Sequence, residues 1–113
     1  MFCGFQKMWR DHMPSDETAL NKILEIMPEI TYRKMMGEYL LYYDGRLFGG
    51  IYDNRLLLKI TKASAIMLKF HDSAFPYEGG GEMILFPEPY DAELLRDVII
   101  AMYPQLPEKR PKD

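Results

Sequence analysis

Two short reversals, Asp44-Gly45 and Asp53-Asn54, constrain this sequence more than any other feature. Both pairs use residue types that tolerate positive φ, as the two-residue turns of β-hairpins require. They divide RKMMGEYLLYYDGRLFGGIYDNRLLLKIT, residues 33–61, into segments rich in Leu, Ile, Tyr and Phe. The stretch therefore reads as an antiparallel meander with strands over Glu38–Tyr43, Arg46–Tyr52 and Arg55–Ile60. Ile30–Met36, with β-branched Ile30 and Thr31, supplies a preceding strand. Gly37 marks a bend or bulge where the chain enters the sheet.

Tight turns pin the register, and the two-residue period of a strand then sorts side chains between faces. With Tyr43 opposite Arg46 and Tyr52 opposite Arg55, one face collects Leu40, Tyr42, Leu47, Ile51, Leu56, Leu58 and Ile60. This aliphatic face is expected to meet the helices. The other face collects Tyr39, Leu41, Tyr43, Phe48 and Leu57, rimmed by Arg46, Arg55 and Lys59, with Gly50 opposite Tyr39. These residues form the candidate contact surface. Aromatic anchors beside arginine suit a protein interface, with a partner or with a second copy in a homodimer. Aromatics with basic neighbours also stack single-stranded bases. A second core layer, under the N-terminal segment or the Phe75–Gly81 loop, would give the same pattern. The net charge of −3, from 14 basic and 17 acidic residues, weighs against direct DNA binding.

The flanking segments read as helical cover. Ser15 is a good N-cap, Asp16 and Glu17 suit the positive end of a helix dipole, and Leu20, Ile23, Leu24 and Met27 share one face. Pro28 ends that helix, which spans Asp16–Met27. Thr61 caps a second helix, Lys62–Phe70, without the Glu or Gln of a full capping box. Phe75–Glu82 is a loop, and Met83–Phe86 a short fifth strand stopped by Pro87 and Pro89. Asp91 caps the last helix, Ala92–Tyr103, whose Leu94, Leu95, Val98, Ile99 and Met102 form an apolar stripe before Pro104. The expected organisation is an N-terminal tail over 1–14, one domain over 15–106 and a polar C-terminal tail over 107–113. A chain of 113 residues with 48% hydrophobic and 27% charged content is ordinary for one globular domain. The single cysteine, Cys3, permits no intrachain disulfide and fits a reducing cytoplasm. No signal segment or membrane span is expected.

Chemistry-bearing residues are sparse. His12 and His71 stand far apart and outside any metal-ligand spacing, and Cys3 has no flanking activator, so no metal and no catalytic thiol are expected. Gly79-Gly80-Gly81 lacks the Lys-Ser/Thr of a phosphate loop and leads into a strand, so it reads as a turn and no cofactor is expected. Among the carboxylates Glu38, Asp44, Asp53, Glu78 and Glu82, turn chemistry explains Asp44 and Asp53. Glu38 is the awkward one, because uninterrupted alternation places it on the helix-side face. It would have to lie at the sheet end or pair with Arg33 or Lys34.

Arg33-Lys34-Met35, Gly37-Glu38-Tyr39, Tyr42-Tyr43-Asp44-Gly45-Arg46, Phe48 and Arg55-Leu56-Leu57-Leu58-Lys59 together resemble the N-terminal domain of the TfoX/Sxy family. Pro76-Tyr77-Glu78-Gly79 and Met83-Ile84-Leu85 resemble a subgroup of small, single-domain members. The resemblance spans about residues 23–106. It implies an α+β fold, an antiparallel sheet of about five strands with helices on one face, similar to type III secretion chaperones. It also implies a bacterial, cytoplasmic, non-enzymatic role linked to regulators of natural competence, which act with the cyclic-AMP receptor protein at DNA-uptake promoters. The family supplies no catalytic residues to carry over. A protein-interaction domain is the leading expectation, with a nucleic-acid-associated transcriptional regulator or a small chaperone-like adaptor as the alternatives.

Overall fold

The structure, a computed structural model, describes residues 17–107. The tail expected over 1–14, and all of the 107–113 tail except Pro107, lie outside the described residues. The chain runs α1 (Glu17–Ile26), β1 (Ile30–Met35), β2 (Glu38–Tyr43), β3 (Arg46–Tyr52), β4 (Arg55–Leu58), α2 (Lys62–Met67), β5 (Ser73–Ala74), β6 (Met83–Phe86) and α3 (Ala92–Met102), followed by a 3₁₀ turn over Tyr103–Gln105. All six strands join one antiparallel sheet in the order β1-β2-β3-β4-β6-β5. The fold is α+β, with one strand more than the sequence indicated. The addition is β5, a two-residue pairing of Ser73 and Ala74 against Ile84 and Met83, too short to leave a periodic signal.

Three successive two-residue turns build the meander. Asp44 and Gly45 have φ of 48° and 83°, and Asp53 and Asn54 have 54° and 61°, the left-handed geometry that matches strand twist. The third turn is Met36-Gly37, at 52° and 85°, with Met35 paired to Glu38 across it. The expected bend at Gly37 is thus a complete hairpin. Methionine in the left-handed region gives no sequence cue, and Gly37 alone carries the signal.

The β2–β3 hairpin starts in the expected register, Tyr43 opposite Arg46 and Tyr42 opposite Leu47. It then slips: Leu41 faces Gly49, Leu40 faces Gly50 and Tyr39 faces Ile51. Phe48 is the extra residue, a β-bulge, and its carbonyl still accepts a 2.8 Å hydrogen bond from the Lys59 N–H on the other side. The β3–β4 register is as expected, with Ile51 opposite Leu56 and Tyr52 opposite Arg55.

That slip inverts half of the predicted faces. Tyr39 and Leu41 pass to the helix side, where they join Phe48, Ile51, Leu56, Leu58, Ile84 and Phe86. Leu40, Tyr42 and Leu47, expected in the core, lie on the opposite face and are only half-buried. Ile60 was expected there too, but β4 ends at Leu58 and Ile60 is 48% exposed. The core closes with Ala19, Leu20 and Ile23 of α1, then Met27, Leu68 and Leu106, and Leu95, Val98, Ile99 and Met102 of α3. The helices therefore cover one face of the sheet, and α2 rests on α3.

The ends of α1 and α3 each fall one residue before the expected position, and α2 stops at Met67 rather than Phe70; the expected start of α1 at Asp16 and its Ser15 cap lie outside the described residues. The cap of α2 is fuller than the sequence indicated. Thr61 Oγ1 accepts the Ser64 N–H at 3.1 Å, and Ser64 Oγ accepts the Thr61 N–H at 2.8 Å. Ser64 thus takes the place of Glu or Gln in the box. Its hydroxyl also donates to the Lys59 carbonyl at 2.8 Å, and the side chain is fully buried. Ser64→Ala leaves the half-buried Thr61 N–H and Lys59 carbonyl without this partner and is expected to cost about 2 kcal/mol, read as a lower midpoint in urea.

Alkaline stability follows from Tyr90, which packs on Phe86 with ring centroids 6.2 Å apart. Burial first, and then the carboxylate of Glu88, push its hydroxyl from 10.0 to about 12. The folded state thus favours the neutral phenol. The associated stability is fully present below pH 10 and is lost as pH rises towards 12. Tyr90→Phe is expected to remove this component of the alkaline decline, measured by denaturation at stepped pH.

Candidate functional site

The structure distributes the expected contact residues over three environments. Tyr39, Leu41 and Phe48 are core residues beneath the helices, and Tyr43 packs against that core from its margin. This corrects their assignment to an open aromatic face, and the cause is the bulge at Phe48. Leu57 does lie on the face away from the helices, yet it is fully buried. Gly50 faces Leu40 rather than Tyr39, and the ring over it is that of Tyr52, since a Cβ there would come within 2.8 Å of it.

The cations have diverged. Arg46 lies on the helix side, its guanidinium 4.3 Å from the Tyr103 ring centre and donating to the carbonyls of Tyr103 at 3.1 Å and Leu106 at 3.4 Å. These bonds tie the hairpin to the turn that follows α3. Tyr103 completes the join, its hydroxyl donating to Asp44 Oδ2 at 2.8 Å and its ring meeting Tyr43 edge-on at 5.6 Å. The bond to Asp44 holds the Tyr103 hydroxyl above its ordinary pKa. Arg55 donates through Nε to the Tyr52 carbonyl at 3.1 Å, and through Nη2 to the Phe75 carbonyl at 3.1 Å and that of Pro76 at 3.5 Å. It ties the long loop to the sheet. Lys59 lines a cleft beside Tyr52 and Tyr77, and Arg55 lines a second one with Phe75 and Glu78.

The Lys59 cleft, about 490 Å³, lies where Leu47, Gly49 and Tyr52 meet Lys59, Ile60 and Thr61, the loop residues Pro76, Tyr77, Gly81 and Glu82, Met83 of β6, and the segment after α3 at Gln105, Leu106 and Pro107. Its wall is a tyrosine cluster that the sequence register hid. Tyr52 and Tyr77 meet edge-on at 6.3 Å. Burial, then the neighbouring Tyr77, Glu38 and Tyr42, raise the Tyr52 hydroxyl above 10.0. An open tyrosine-bearing face therefore exists, but it carries Tyr42, Tyr52 and Tyr77 in place of Tyr39 and Tyr43. The available signal was Gly49-Gly50 directly after Phe48, because paired glycines inside a strand mark a bulge or close backbone approach.

The other chemistry-bearing residues have local duties. Glu38 lies on the face away from the helices, is nearly buried, and accepts the Asp53 N–H through Oε1 at 3.2 Å, bracing the Asp53-Asn54 turn. The same slip that moved Tyr39 inward moved Glu38 outward, which resolves its awkward placement. Gly79 has φ of 87° and the Gly80 N–H donates to the Tyr77 carbonyl at 2.9 Å, so the triple glycine shapes a turn. The His71 ring stacks on Phe86 at 5.7 Å. Cys3 and His12 lie outside the described residues. Among the described residues, no three His, Cys, Asp or Glu side chains gather as a metal site, and no helix is long and apolar enough to cross a membrane.

An uncharacterized 12.7 kDa protein in the trpE 5′ region of Spirochaeta aurantia is 30% identical over 80 residues, covering 70% of each chain. No solved structure matches. Residues 22–97, from within α1 through the sheet to Asp97 in α3, match the TfoX N-terminal domain. On that match this chain belongs to the TfoX N-terminal domain family.

Proposed function

We propose that this protein is a non-enzymatic regulatory domain, related to the regulators of competence genes, that acts by binding another protein through the open face of its sheet. Family membership supports the regulatory reading. The observation that carries the contact reading is the cleft beside Tyr52 and Tyr77, walled by Leu47, Ile60 and Met83, with Lys59 and Glu82 at its polar positions. Mixed apolar and aromatic walls with few charges suit a protein side chain acting as anchor. The same surface suits nucleic acid poorly. Arg46 and Arg55 each hold backbone carbonyls within the fold, so a phosphate would compete with contacts that join the turn after α3 and the Phe75-Pro76 loop to the sheet.

The test pairs co-purification from the native cell with a DNA titration. A tagged wild-type protein is expected to retain a partner that Leu47→Glu and Tyr77→Glu, checked as folded by circular dichroism, both lose. Light scattering after gel filtration reports whether that partner is a second copy. Binding to duplex or single-stranded DNA is expected to be weak. A DNA affinity that falls about a thousandfold between roughly 50 and 200 mM salt, unchanged by Leu47→Glu, would replace this reading with a nucleic-acid regulator.

A further inference from the structure

The sheet ends at β1, and no described strand pairs with its outer side. Five of its six residues, Thr31 to Met35, are exposed. Met35 and Glu38 flank a two-residue turn, so they exchange both ladder hydrogen bonds, as do Arg33 with Leu40 and Thr31 with Tyr42. The alternate residues Tyr32 and Lys34 therefore turn their N–H and C=O groups away from β2, towards the free edge. Two such residues, spaced by two, are what an added antiparallel or parallel strand engages.

The side chains at this edge select the occupant. Arg33 lies on the open face beside Leu40, and Lys34 on the helix side with its Nζ 6.0 Å from the Tyr39 ring centre. Neither makes an ion pair with a carboxylate among the described residues. Both faces of the edge are thus positively charged, on a protein whose net charge is −3. Charged edge residues ordinarily discourage strand addition by like sequences. A second copy laid antiparallel along β1 would set Arg33 opposite Arg33, or Lys34 opposite Lys34 in the register shifted by one residue, so the central registers repel. Tyr32, Met35 and Met36, at 50%, 46% and 91% exposure, leave apolar surface beside the charges for a strand of opposite sign.

We infer that β1 receives an extended acidic segment of a partner protein as a seventh strand, held by the main chain of Tyr32 and Lys34 and selected by Arg33 and Lys34. This deepens the protein-contact reading by naming the chemistry of the partner segment, and it uses a different surface from the cleft.

The experiment measures fluorescence anisotropy with labelled, acetylated octapeptides that repeat Glu-Glu-Val-Val or Lys-Lys-Val-Val, so that both faces of the added strand carry charge. The glutamate peptide is expected to bind at least tenfold more tightly than the lysine peptide, and the double variant Arg33→Glu/Lys34→Glu to invert that preference. N-methylation of alternate residues in the glutamate peptide is expected to abolish binding, because it removes the donors that face the edge. Amide exchange of Tyr32 and Lys34 is expected to slow when the peptide is added. Equal binding of both peptides, full binding of the N-methylated peptide, or no binding at millimolar concentration would overturn the inference. Binding that survives the charge inversion but is lost in Leu47→Glu would also overturn it, while leaving the cleft reading intact.

Discussion

Truncating Phe48 to alanine is expected to cost about 3–5 kcal/mol of folding stability, the range for a large aromatic removed from a packed core. The side chain is fully buried and sits among the residues that join sheet to helices. Against a total of about 5–15 kcal/mol for a domain of this size, such a loss leaves little margin. Urea denaturation checks it: the midpoint should fall sharply with an unchanged slope, since the surface exposed on unfolding is nearly the same. Leu47→Ala, one residue earlier and half-buried on the other face, should cost much less. Equal, small effects at both positions would mean that Phe48 is not inserted beneath the helices, and the bulge with it would be wrong.

Gly49→Ala is expected to be nearly as damaging, by about 3 kcal/mol, through overpacking rather than cavity formation. A Cβ at Gly49 would overlap the carbonyl oxygen of Leu57 and lie 3.1 Å from the Leu58 Cα. Both are backbone atoms of the neighbouring strand, so no rotamer change relieves the contact. The strands must part or the bulge must move. Gly81→Ala is the matched control, because a Cβ there meets nothing within 4 Å. It should stay within about 0.5 kcal/mol of the wild type. A thermal melt of the two variants beside the wild type separates these outcomes. A Gly49→Ala protein as stable as Gly81→Ala would show that β3 and β4 do not approach so closely.

Both effects arise from one place, and that place also sets the surface offered to a partner. Uninterrupted alternation over Arg46–Tyr52 would keep Arg46 and Tyr52 on the same face. The bulge puts them on opposite faces, which sends Arg46 to the end of α3 and Tyr52 to the cleft. The consequence for function is direct. Arg46 becomes part of the join between the hairpin and the turn after α3, and the aromatic surface left open is built from Tyr42, Tyr52 and Tyr77.

The sequence by itself determined every helix and strand but the two-residue β5, and two of the three hairpin turns: residue pairs such as Asp44-Gly45 and Asp53-Asn54 adopt positive φ at little cost wherever they stand, and a proline stops a helix locally. The stripes of α1 and α3 and the β3–β4 register were legible for the same reason, since each depends on neighbours a few residues apart. Glu38 was legible only as a contradiction, a carboxylate assigned to an apolar face. Only the tertiary structure decided which side of β2 meets the helices. One extra residue in β3 exchanges the two faces of β2, and the choice depends on packing Phe48 against helices distant in sequence and fitting Gly49 against β4. Local propensity has no term for that, because period two is equally well satisfied by either face until the helices arrive.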